Sequence, residues 1–145
     1  MLTTNIRNTN GTYGPTKKGK LYQAKADHGI NARISHDKTR WAIPENQQLT
    51  VFEIAESPCS PNFELYCDEN NCYFSVVNDC SEVLGQTNER VAKFPKPRNT
   101  NDPWHGYPVK CIKLENIPCD SLLDIMVNQQ VISKTTRTRI ERKKL

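Results

Sequence analysis

Residues 62–77 read NFELYCDENNCYFSVV, and their pairing decides the fold. If Asp68-Glu69-Asn70-Asn71 is a four-residue loop, Cys67 faces Cys72, Leu65 faces Phe74 and Phe63 faces Val76. Side chains alternate along a strand, so these apolar pairs share one face. The other face pairs Tyr66 with Tyr73 and Glu64 with Ser75. A slip of one residue would turn every apolar side chain to the wrong side, so the pattern fixes a single register. The stretch therefore predicts a β-hairpin over 62–77.

Working outward, short strands are expected at 20–26, 30–35, 40–43 and 108–114. LTVFEIAE at 49–56 is rich in β-branched and aromatic residues and reads as a further strand. Asp120 or Ser121 caps a helix whose apolar stripe is Leu122, Leu123, Ile125 and Met126. A second helix is expected within 133–145, with Ile140 and Leu145 as its only large apolar residues. The expected fold is α+β: a small antiparallel sheet with one or two C-terminal helices packed on one of its faces. The chain divides into a flexible N-terminal arm at 1–18, a single α+β domain at 19–132, and a basic C-terminal tail or helix at 133–145.

At 145 residues and 36% apolar content, the chain can bury one modest core. No apolar run approaches the roughly 20 residues that cross a bilayer. The N-terminus lacks the apolar stretch of a secretory signal, so a cytoplasmic location and no membrane partner are expected. On that basis Cys59, Cys67, Cys72, Cys80, Cys111 and Cys119 are expected as reduced thiols. Small buried apolar side chains are favoured for Cys67 and Cys72 over a cross-hairpin disulfide or a zinc site, because no CxxC pair is present. No cofactor or metal is expected. Walker, Rossmann, nucleophile-elbow and HExxH patterns are all missing from the sequence.

The net charge of +4 conceals segregation. Residues 1–40 hold eight Lys/Arg and two Asp, 41–90 hold nine acids and Arg90, and 133–145 hold six Lys/Arg and Glu141. The basic blocks suit phosphate, and the acidic middle should face away from it. In the last block Arg137, Arg139 and Arg142 are candidate contacts, although basic residues also suit a helix C-terminus.

The second informative stretch is FPKPRNTNDPWHGYP at 94–108. Pro95, Pro97, Pro103 and Pro108 exclude a helix or a central strand. A stiff loop that carries Trp104 and Tyr107 either plugs the core or presents those rings to a partner. An inward Trp104 is favoured, since a small polar domain needs its large apolar side chains. Lys96, Arg98, Trp104, His105 and Tyr107 are the candidate binding residues. The expected function is binding, through this loop and the basic termini, with a protein and a nucleic acid equally open as partner. The alternative is a compact, metal-independent ribonuclease-type enzyme using His28, His36 and His105 as acid and base.

Overall fold

The computed structural model describes residues 7–25, 39–58 and 63–145. The strand expected at 30–35, together with His28, His36 and Cys59, lies outside the described residues. Among the described residues, four strands form an antiparallel meander: β1 (Tyr66–Cys67), β2 (Cys72–Ser75), β3 (Val91–Pro95) and β4 (Tyr107–Val109). The α-helices described beside them are α1 (Glu45–Glu56), α2 (Asp120–Asn128) and α3 (Lys134–Glu141). The fold is the expected α+β.

The hairpin register matches expectation, with Tyr66 opposite Tyr73 and Cys67 opposite Cys72. Asn71 takes the left-handed conformation (φ 50°) that an Asn tolerates in a turn. The ladder is shorter than expected. The Leu65 amide turns to Ala55 O of α1 (2.7 Å), while its carbonyl still accepts from the Phe74 amide (2.9 Å), as the expected register requires. Phe63 is 37% exposed. The face expected to be polar is also covered. Ser75 is buried and its hydroxyl donates to Val51 O of α1 (2.7 Å).

Residues 49–56, expected as a strand, belong to α1 instead. Gln48, Leu49, Phe52, Ala55 and Glu56 are buried along one side of this helix, at three- and four-residue intervals. That helical period outweighs the β-branched composition. Phe52 then meets Phe94 (ring centroids 5.1 Å) and Tyr73 (5.9 Å) on the sheet. The strand expected at 40–43 reduces to one bridge between Trp41 and Gly85.

The sheet lies between two helical layers, not under one. Tyr73, Ser75 and Phe94 face α1. The alternate residues Cys67, Cys72, Phe74 and Lys93 face the other way, where the Cys67 thiol meets Cys119 at the start of α2. The Lys93 ammonium donates to Glu115 O (2.6 Å) in a 3-10 turn at Leu114–Asn116. The segment expected as a C-terminal tail or helix is α3. Its N-cap Ser133 accepts from the Thr136 amide (3.1 Å), and Ile140 is fully buried.

The segment expected as a flexible arm is docked over its described part, 7–18. Thr12, Tyr13 and Thr16 are buried, and Tyr13 exchanges backbone hydrogen bonds with Tyr22 (2.7 and 2.9 Å). Lys18 donates to Glu56 O (2.7 Å) and pairs with Glu64 (2.9 Å). Lys20 pairs with the buried Glu56 carboxylate (3.1 Å). Two α1 side chains that should oppose burial are thus partnered by the residues that follow this segment, Glu56 by Lys20 and Gln48 by Tyr22, whose hydroxyl donates to Gln48 Oε1 (2.9 Å).

Candidate functional site

Residues 94–108 leave β3 at Pro95 and re-enter the sheet at Tyr107. Three anchors hold the returning half. The Trp104 amide donates to Leu21 O (2.7 Å), and the Gln23 amide donates to Trp104 O (2.8 Å), which makes a parallel bridge with the N-terminal segment. The Trp104 ring is 8% exposed and packs on Tyr73 (5.1 Å) and Phe52 (5.7 Å). The Trp41 indole N–H donates to Gly106 O (3.0 Å). A Cβ at Gly106 would lie 2.2 Å from the Phe94 ring and 2.6 Å from Lys93 O, so only glycine allows this approach.

The outgoing half is tied more lightly. The Lys96 amide donates to Asn71 O (3.0 Å). A turn closes from the Asp102 amide to Asn99 O (3.1 Å), and the Asn99 side-chain amide donates to the Asp102 carboxylate (3.0 Å). Together these tethers shape an open groove of about 580 Å³ between the loop and residues 23–25. Lys25, Lys96, Arg98 and His105 line it with Gln23, Asn99 and Asp102, and Pro97 and Pro103 stiffen its wall. Lys25, Lys96 and Arg98 are exposed.

Of the expected loop residues, Lys96, Arg98 and His105 therefore converge, and Trp104 and Tyr107 do not line the groove. Trp104 is inward, as favoured, and its ring is not offered as a stacking surface. Tyr107 is half-buried within β4, opposite Lys93. Burial pushes its phenol pKa up.

Of the two basic termini, the N-terminal block supplies Lys25 to the loop groove, and the C-terminal candidates Arg137, Arg139 and Arg142 do not line it. Lys96 follows the end of β3 at Pro95, whereas Arg139 lies beside Arg90 and Lys110, which flank the paired residues Val91 and Val109. The two groups sit at opposite ends of the β3–β4 ladder, on the order of 15–20 Å apart for five strand residues. Arg137 is engaged by Asp124 and by Glu141 (3.6 Å) on the α2–α3 surface. Arg142 is exposed at the end of α3 and lines neither groove.

The basic partner the loop does acquire is Lys25, brought by the Gln23–Trp104 bridge. Lys25 and Gln23 are not legible as site residues in the sequence, because nothing local announces a backbone pairing across about 80 residues.

Other chemistries find less support. Burial raises the Cys72, Cys80 and Cys111 thiols to about 12, so these groups remain neutral near pH 7 and are poor nucleophiles. Cys67, Cys72, Cys80, Cys111 and Cys119 are free and buried. Among the described residues no group of three or more His, Cys, Asp or Glu is placed to hold a metal ion, and no helix is long and apolar enough to cross a membrane. Comparison with protein-family models, with curated proteins and with solved structures finds no match to this chain.

Proposed function

We propose that this chain is a nucleic-acid-binding protein that holds a stretch of phosphate backbone in the loop groove. The observation that carries this reading is the meeting of Lys25, Lys96 and Arg98 on one open groove, with no side-chain ion pair to any described residue. Among the described residues of the groove the one carboxylate, Asp102, is held by the Asn99 amide. Phosphate oxygens would complete the cations, and Gln23 and Asn99 offer amide groups to sugar or base edges.

The inward Trp104 shapes the binding mode. Without a stacking platform, affinity comes from backbone charge, so binding is steeply salt-dependent and tolerant of sequence. Three contacted phosphates on a single strand imply a log–log salt slope of about −2.

The test is fluorescence anisotropy of a labelled single-stranded oligonucleotide with the full chain across a salt series. Binding that weakens along such a slope, and at least tenfold in Lys96→Gln/Arg98→Gln, is expected. Salt-independent binding would overturn the proposal. So would failure to bind the oligonucleotide while a poly-glutamate peptide is bound, which would assign the groove to an acidic protein.

A further inference from the structure

The far end of the β3–β4 ladder carries a second basic site of different construction. A cleft of about 250 Å³ is lined by cations from three separate segments: Arg90 before β3, Lys110 after β4, and Arg139, Lys143 and Lys144 at the end of α3. Arg90 is spoken for, donating to Cys80 O (3.1 Å), Ser81 O (3.0 Å) and Asn88 Oδ1 (3.3 Å). The side chains of Lys110, Arg139, Lys143 and Lys144 make no hydrogen bond or ion pair with any described residue. Among the described residues no Asp or Glu side chain lines the cleft. Even with a main-chain carboxylate of Leu145 counted against them, positive charge is in excess.

Part of this has a plain cause, since cations favour a helix C-terminus. That does not account for Lys110, nor for the conformation at Lys143. The Lys144 amide donates to Arg139 O (2.8 Å) and the Lys143 amide to Ile140 O (3.0 Å), which is a Schellman ending with Lys143 at the left-handed position (φ 59°). Glycine or asparagine is the usual occupant there. Here a lysine bears the strain and adds to a cluster of like charges. The Cys111 amide, bonded to Leu145 O (2.7 Å), holds the α3 end against the Lys110 segment. The backbone positions that carry these cations are thus held near one another.

We infer that this cleft binds a cluster of two or three closely spaced phosphates on a small ligand. Its size suits that group better than a running strand, and its five lining cations suit closely spaced anionic oxygens. The ligand is either free in solution or borne on a lipid headgroup. Ile112, which lines the cleft at 52% exposure, and Leu114, at 84%, protrude from the same segment as Lys110 and would meet acyl chains in the second case. The inference does not rest on the loop groove.

Isothermal titration of the full chain with tripolyphosphate tests it. One-to-one saturable binding is expected, weakened at least tenfold by Arg139→Gln/Lys143→Gln. It should change less than twofold in Lys96→Gln/Arg98→Gln, which removes the same charge from the other end of the ladder. Lys110→Gln/Lys144→Gln repeats the test without Arg139 or Lys143, should that variant melt early. Absent saturation, or an equal loss from the loop pair and the cleft pair, would overturn the inference.

Sedimentation with phosphatidylcholine vesicles containing a bisphosphorylated inositol lipid then distinguishes the source. Co-sedimentation that tripolyphosphate competes away and Leu114→Ser weakens supports the lipid-borne form. Tripolyphosphate binding without co-sedimentation supports the free form. Co-sedimentation that survives Arg139→Gln/Lys143→Gln overturns the cleft as the headgroup site.

Discussion

The two ends of the β3–β4 ladder are both basic, yet they hold their charges by different means. At the loop end, Lys96, Arg98 and His105 ride on a proline-stiffened segment whose aromatic half is buried in the core. Their groove includes amides and one carboxylate, so it offers a mixed set of contacts. At the α3 end, cations from three segments meet with no side-chain acid among the described residues, and a helix ending sets their backbone spacing. The contrast teaches that net charge alone locates nothing in this molecule. What positions charge is the anchoring beneath it: Trp104 and Gly106 at one end, Ser133 and the Lys143 turn at the other.

Breaking the loop anchor should have the largest effect. Trp104→Ala removes a ring packed on Phe52 and Tyr73 and should cost about 3–5 kcal/mol of stability in urea unfolding. Gly106→Ala forces a Cβ against the Phe94 ring and should cost about 1–3 kcal/mol. In the folded fraction of either variant, oligonucleotide binding should fall while tripolyphosphate binding persists. Equal loss of both would deny that the two ends are separately supported.

Ser133→Ala disturbs the α3 end more mildly. The N-cap bond to the Thr136 amide is lost, and about 1 kcal/mol should go with it, read as a lower urea midpoint at unchanged slope. The smallest effect sharpens the contrast by its sign. Lys143→Gly relieves the left-handed lysine and should stabilise the chain by about 0.5–1 kcal/mol, while weakening tripolyphosphate binding. A destabilised Lys143→Gly variant would mean that the lysine serves the fold.

How far these features were legible in the sequence follows from how local their causes are. The hairpin was readable because every apolar pair across Asp68–Asn71 agreed on one register. The α1 helix was not, because its buried side includes Gln48 and Glu56, and these polar residues hide the helical period carried by Leu49, Phe52 and Ala55. Their burial is supported by Tyr22 on Gln48 and Lys20 on Glu56, a long-range fact.

The inward Trp104 was legible from the scarcity of large apolar side chains. Lys25 as its groove neighbour was not, since its place depends on the Gln23–Trp104 backbone bond. At the α3 end Arg139 was a candidate from the charge run alone, but its neighbours Arg90 and Lys110 were not, for the same reason. Residues 88–90, 110–112 and 139–145 meet only once the sheet and helix are assembled.

The central claim is that the loop cations contact phosphate directly. The most direct measurement compares the salt slope of oligonucleotide binding in the unmodified chain and in Lys96→Gln/Arg98→Gln. Removal of two phosphate contacts should shallow the slope by about 1.4. An unchanged slope, whatever the affinity, would contradict the account.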